Sequence, residues 1–253
     1  MIRVIEVRDG LRVTGTDAAK YLHSQLSNDI ASLGTGESRY AFALDPNGKV
    51  VALCRVTRLA ADDFLVDADR GAGEALFARL LRFRIRVDAN FESVVVTAHC
   101  TRGESAEISS DTSAPPGAIG VPAWWGDGSA RDHLVIGRSD ESSAEDEMAT
   151  LEEFRVRARW PRHGAEIVSG ETLPAATGVV PVSVSFTKGC YPGQELVERM
   201  DSRGATSPFV LCSVPAAGRS PGDPYVVGGV VAGTVTSVAG ETALAYVKRD
   251  FAT

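Results

Sequence analysis

Lys188-Gly189-Cys190-Tyr191-Pro192-Gly193-Gln194-Glu195, preceded by Phe186-Thr187 and followed by Leu196-Val197-Glu198-Arg199, is the stretch on which the reading of this chain turns. Its cysteine lies in a glycine-flanked loop, with a lysine two residues before it. Glycine lets backbone approach a ligand closely and leaves a thiol little shielded. The charge of Lys188, and the start of a helix expected to begin near Gln194, favour thiolate over thiol. Gln194 and Glu195 bring an amide and a carboxylate to the same point. The plainer alternative is a turn whose cysteine only packs. Cys54, in Val50-Val51-Ala52-Leu53-Cys54, and Cys212, in Phe209-Val210-Leu211-Cys212, fit that description and read as small core hydrophobes. Together with Cys100, the cysteines are too widely spaced for a zinc or thioredoxin-type pair and read as reduced thiols.

Outward from this loop the chain alternates between strand and helix signals. Leu11 to Gly15 is extended, and Thr16 or Asp17 can cap a helix running through Ala18, Ala19, Tyr21, Leu22 and Leu26. Asp45-Pro46-Asn47-Gly48 is a turn between Tyr40–Leu44 and Lys49–Leu53, which predicts a β-hairpin. A strand is expected at Phe64-Leu65-Val66 and a helix from Gly73 to Leu81. Arg82-Phe83-Arg84-Ile85-Arg86-Val87 alternates strictly, the pattern of a half-buried strand, with Val94-Val95-Val96 as its neighbour. From Thr101 to about Ser143 the composition shifts to loop chemistry, and the segment reads as a variable insertion holding a short strand at Leu134-Val135-Ile136. Met148 to Trp160 reads as a helix broken by Pro161, although Phe154 to Trp160 also alternates. Val230 to Val238 and Ala243 to Val247, with turns at Gly222-Asp223-Pro224 and Gly228-Gly229, read as a small all-β module.

The bulk numbers narrow the function classes. Of 253 residues, 44% are hydrophobic and 23% charged, enough apolar surface for a folded chain. The net charge of −7, from 26 basic and 33 acidic residues, argues against a nucleic-acid partner held by bulk charge. No apolar run approaches the roughly 20 residues of a bilayer span, and Met1 to Glu6 lacks a secretory apolar region, so a cytoplasmic location and no membrane partner are expected. His23, His99, His133 and His163 are spread without metal-ligand spacing, and no metal site is expected.

The cysteine loop resembles the motif K-G-C-[YF]-x-G-Q-E-x-x-x-R of the folate-binding, YgfZ-like branch of the aminomethyltransferase superfamily, and Arg199 falls on its final position. Asp17 to Ile30, Asp45 to Lys49, Gly164 to Ile167, Gly170 to Pro174 and Ala243 to Arg249 are similar to the same family. The resemblance implies an α+β fold: a three-domain ring as in the glycine cleavage T-protein superfamily, with a small C-terminal β-barrel-like domain. The domains would be residues 1–50 with 146–205, a second α+β domain at 51–145 including the insertion near 101–145, and an all-β domain at 206–253. It also implies tetrahydrofolate or a derivative in a central funnel, iron–sulfur client or assembly proteins as partners, and support of iron–sulfur protein assembly or repair as the function. Cys190 would be the chemical centre, activated by Lys188, with Gly189, Tyr191, Gly193, Gln194, Glu195 and Arg199 fixing the loop or binding a partner.

The chain departs from the transferase pattern at two places. The acidic pair that follows a Gly-Gly turn in transferases falls on Ala52 and Leu53, neither able to act as acid or base. The glutamate that holds the pterin falls on Arg157, within Arg155-Val156-Arg157-Ala158-Arg159. Expected folate contacts are Arg84 and Arg86, suited to glutamate carboxylates, together with Arg157 and Glu166. The alternative for the arginine rows is a solvated face paired with acids. For the whole chain, the alternatives to an accessory protein are a folate-dependent aminomethyl or one-carbon transferase and a non-catalytic binding scaffold.

Overall fold

The computed structural model describes residues 1–103, 114–123, 130–137, 142–202 and 207–252. Its centre is an antiparallel sheet of β1 (Ile2–Thr14), β2 (Ser38–Leu44), β3 (Val50–Ala60), β4 (Asp63–Ala68), β5 (Asn90–Arg102), β6 (Ile119–Pro122) and β7 (Ala130–Ile136), in the order β2-β3-β4-β1-β5-β7-β6. Strand side chains alternate between faces. Leu11 and Val13 of β1, Phe64 and Val66 of β4, and Cys54 and Val56 of β3 therefore share one face. That face is covered by α1 (Ala18–Gln25) and α2 (Gly73–Leu81). In α1 the buried residues are Ala18, Tyr21, Leu22 and Gln25, the spacing of a helix with one apolar side. Each fully buried leucine here, such as Leu22 or Leu80, contributes roughly 1.5–3 kcal/mol. Asp9 accepts the N–H groups of Gly71 and Gly73 at 2.8 and 2.9 Å, satisfying donors that the start of α2 leaves open.

The opposite face carries two further apolar clusters, one under α3 (Glu145–Arg157) and one under the segment that holds the cysteine loop. Helix α3 has Glu145, Asp146 and Glu147 in its first turn and Arg155 and Arg157 in its last, an order that favours the helix dipole. A short helix α4 (Val180–Ser183) and α5 (Gln194–Ser202) follow. The chain ends in a second antiparallel sheet of β8 (Phe209–Pro215), β9 (Pro224–Val227), β10 (Val230–Ala239) and β11 (Thr242–Lys248), in the order β8-β11-β10-β9. The expected hairpin, the helices at 73–81 and near 194, and the all-β C-terminal module are all present, as is the helical choice for residues 148–157.

Two expectations are corrected. Arg82 to Val87 is not a strand: residues 82–86 are exposed, and Arg86 has a left-handed φ of 54°. Such a strand cannot pair with β1, because β4 and β5 already occupy both of its sides. Residues 50 and 51, the expected division between two domains, open β3, which pairs with β2 on one side and β4 on the other. The turn at Asp45–Gly48 reverses the chain inside one sheet, so the sheet runs through that point. The masses of sequence at 104–113, 124–129 and 138–141, part of the expected insertion, lie outside the described residues.

Candidate functional site

The cysteine loop is fastened to the rest of the molecule by its backbone and by side chains other than the thiol. Lys188 Nζ donates to the carbonyls of His23 and, at 2.6 Å, Leu26, both at the end of α1. It also lies 4.7 Å from the centre of the Tyr191 ring. Burial brings Lys188 down to about 8, while Asp29 and Cys190 oppose that shift. Lys188, expected as thiol activator, has a positional role in the structure: it closes the C-terminal end of α1, where carbonyls lack helical partners.

Tyr191 is the loop's apolar anchor. Its ring is buried in the cluster with Tyr40, Leu53, Trp160 and Val197, its hydroxyl donates to no described residue, and burial raises its pKa to about 12. Gln194 closes the turn that follows: its Oε1 accepts the Tyr191 N–H at 3.2 Å, and its amide donates to Glu198. Gly193 and Gly48 both have left-handed φ, 85° and 83°. A Cβ on Gly193 would lie 2.6 Å from the Asp45 carbonyl oxygen, and one on Gly48 would lie 2.9 Å from that of Gly193. The Asp45–Gly48 turn and the cysteine loop therefore meet backbone to backbone, which only glycine at both positions permits. Val50 donates to the Thr172 carbonyl at 2.9 Å and accepts from Gly170 at 2.8 Å, so the Gly170–Pro174 segment joins the same assembly.

Against this anchored frame, Gly189, Cys190, Glu195 and Arg199 are exposed. Cys54 and Cys100 are buried, and burial pushes both thiols upward, whereas Cys190 faces solvent. The site can present a thiol at a fixed place, with Glu195 and Arg199 exposed on the helix that follows.

Sequence reasoning left Tyr21–Asp29 without a role, and the structure makes it the dock for this loop. Ser27 donates its hydroxyl to the Ser183 carbonyl at 2.6 Å and accepts the Phe42 N–H at 2.8 Å, and its carbonyl accepts the Ser185 N–H at 3.0 Å. Asn28 donates to the carbonyls of Tyr40 and Val182 at 2.8 and 3.0 Å. His23 Nδ1 lies 3.1 Å from Asp29 Oδ1, while burial and Lys188 lower its pKa. A run of short polar residues just after a helix is the signal that could have pointed here.

A second missed feature is an ionic layer on the sheet face under α3. Arg55 makes a two-pronged pair with Asp67, both bonds at 3.0 Å, and reaches Asp132 at 2.9 Å. Arg8 reaches the same Asp67 at 2.8 Å, and Arg102 reaches Asp132 at 2.9 Å. All five side chains are at most 2% exposed. The layer borders a cavity of about 110 Å³ lined by Glu6, Arg8, Asp69, Arg102, Glu152 and Arg155 among others.

The four residues expected to hold a folate are not brought together at one place, although Glu166 borders a groove beside the Asp45–Lys49 turn. Arg84 and Arg86 are exposed in the loop after α2, and Arg157 is exposed on α3 with Glu153 at 3.9 Å. Glu166 is fully buried, and both its oxygens are engaged by protein: Thr236 and Ser237 at 2.7 Å on one, Arg155 at 2.8 Å and the Arg162 N–H at 3.0 Å on the other. It ties α3 to the C-terminal sheet. None of the three arginines lines a described cavity. Ala52 and Leu53, at the transferase acid positions, are core residues at 0% and 3% exposure. A groove of about 420 Å³ does lie beside the Asp45–Lys49 turn, lined by Lys49, Glu171, Thr172, Leu173, Phe209 and Tyr246 among others. That volume is in the range of small-molecule sites.

An α+β chain of this topology, with a glycine-locked cysteine loop, belongs to a known architecture: it has the aminomethyltransferase fold. The solved aminomethyltransferase T of the glycine cleavage system from Bartonella henselae matches it with a TM-score of 0.74, over 98% of this chain and 79% of that one, at 17% identity. Residues 6–101 match the GCVT N-terminal domain family. The chain is similar to curated proteins named tRNA-modifying protein YgfZ. It is 26% identical to that of Enterobacter sp. (strain 638) over 76% of this chain and 65% of that protein. It is 26% identical to that of Escherichia coli O157:H7 over 83% of this chain and 70% of that protein. The chain thus spans about two thirds of the length of these relatives. The family expected from the cysteine loop is the one these comparisons return. No described helix is long and apolar enough to cross a membrane.

Proposed function

We propose that this chain is a folate-binding accessory protein that supports assembly or repair of iron–sulfur proteins, with Cys190 as its reactive group. The observation that carries the reading is an exposed thiol on a loop fastened on either side of it: Lys188 to α1, Tyr191 into the core, Gly193 against the Asp45–Gly48 turn. An anchored loop presents its thiol in one place at little entropic cost, which suits a bond to a soft atom such as sulfur or iron. The family resemblance supplies the iron–sulfur context and the folate. In this chain a folate would be taken by the groove beside Lys49 and Glu171, with Glu171 facing the donor edge of the pterin and Lys49 a carboxylate of the tail. The transferase reading is disfavoured by the burial of Ala52 and Leu53 in apolar clusters.

The test is rescue of an iron–sulfur dehydratase under oxidative stress, in cells lacking this protein, by wild type, Cys190→Ala and Cys190→Ser at matched levels. Wild type alone should restore activity. Full rescue by both variants would leave the loop a docking surface. Titration of 5-formyltetrahydrofolate against wild type and Glu171→Gln checks the groove, with weaker binding expected in the variant.

A further inference from the structure

Arg79 is 6% exposed on α2 and has no acid to match it. Its Nε donates to the Leu44 carbonyl and its Nη1 to Gln25 Oε1 at 3.2 Å, while Nη2 donates to nothing. Among the described residues no carboxylate lies within ion-pair distance of it. The other buried arginines are treated differently: Arg8, Arg55, Arg102 and Arg155 each hold a carboxylate. An uncompensated buried guanidinium is costly, and such charges are ordinarily paired. Burial lowers its pKa and the neighbouring Arg82 adds to that, while Tyr21 and Asp45 oppose the shift.

The loop above Arg79 repeats the pattern at the surface. Arg82, Arg84 and Arg86 are exposed and form no ion pair among the described residues. Aromatic rings interleave with them. Phe83, itself 38% exposed, lies under both Arg79 and Arg82 at 5.0 and 5.8 Å, and Phe91 lies 5.8 Å from Arg84. Asp88 accepts from the Thr16 hydroxyl and N–H at 2.8 and 3.2 Å. In a chain of net charge −7, a run of unpaired arginines with aromatic faces is a local footprint for an anion. Its place is also informative. Gln25, which holds Arg79, adjoins Leu26, whose carbonyl holds Lys188 beside Cys190. The arginine loop and the thiol therefore flank the same end of α1.

We propose that Arg79, Arg82, Arg84 and Arg86 form a phosphate-binding surface, with Phe83 and Phe91 as the aromatic faces beside it. The phosphate belongs either to a small phosphoester or to a single-stranded polynucleotide, whose bases the rings would stack. The surface stands on its own observations, whatever the chemistry at Cys190.

The test measures binding of two probes to the full chain: inorganic pyrophosphate by calorimetry, and a fluorescein-labelled single-stranded RNA of about 12 nucleotides by anisotropy. Salt is varied between about 50 and 200 mM. Wild type is compared with the triple variant Arg82→Gln, Arg84→Gln, Arg86→Gln, whose positions are exposed and leave the fold intact, and with Arg79→Gln. The triple variant should bind at least tenfold more weakly. Its slope of log affinity against log salt for the RNA should fall by about 2, from roughly 0.7 per lost contact. Binding of RNA alone assigns the polynucleotide source; equal competition by pyrophosphate assigns the small phosphoester; either upholds the surface. Binding of neither probe, unchanged binding by the triple variant, or preference for an oligoglutamate over both phosphate probes overturns it. Cys190→Ser should bind the probes as wild type does, so failure here and failure of the cysteine reading are separable.

Discussion

The ionic layer under α3 and the cysteine loop are both built from polar residues, and they are finished in opposite ways. In the layer, Arg8, Arg55 and Arg102 meet Asp67 and Asp132 with every side chain sealed from solvent. In the loop, Lys188 and Tyr191 are fastened on either side of Cys190 and the thiol is left outside. The difference separates structural chemistry from available chemistry. A buried charge whose partners are all internal has nothing left to offer a ligand, whereas an exposed thiol on an anchored loop has.

The comparison can be broken most forcefully at Asp67. Asp67→Ala leaves two buried arginines short of their acceptor and should cost about 3–5 kcal/mol, read from urea unfolding. Gly193→Ala brings a Cβ within 2.6 Å of the Asp45 oxygen at a φ of 85°. It should cost on the order of 1–3 kcal/mol and mobilise the loop, seen as faster backbone hydrogen exchange at 189–194.

Lys188 gives a smaller, pH-dependent effect. Its folded pKa of about 8 lies below the ordinary lysine value, so between the two the unfolded chain binds more protons. The burial cost of the ammonium is present below about pH 8 and disappears as pH rises toward the unfolded value. Lys188 therefore makes stability rise across that window, and Lys188→Met should flatten the rise in urea midpoints measured from pH 7 to 10. Smallest of all is Cys190→Ser, which should change stability by no more than about 0.5 kcal/mol, because the side chain is exposed.

Much of the fold was legible because its periodicities are local. The Asp45–Gly48 hairpin, α2 and the C-terminal strands each declare themselves within ten or so residues. Arg82–Val87 misled for the same reason: its alternation is strand-like, and only the long-range pairing shows that β1 is already flanked by β4 and β5. The cysteine loop could be found in the sequence, since glycines around a cysteine and a lysine are a local pattern. Its dock could not, because the bonds from Ser27 and Asn28 cross more than 150 residues of chain. The setting of Glu166 was not legible either: the sequence shows a carboxylate, and only the folded chain shows four internal donors around it. The ionic layer was invisible, being assembled from single charges on five different strands.

The most direct test of the account is the order in which the cysteines react. Folded protein is treated with iodoacetamide, and modification at each cysteine is followed by peptide mapping over time. The account predicts that Cys190 is labelled first and to completion while Cys54 and Cys100, at 0% and 1% exposure, stay unmodified until the protein unfolds. Labelling of Cys190 no faster than of those two would show that the loop does not present its thiol, and would contradict the account.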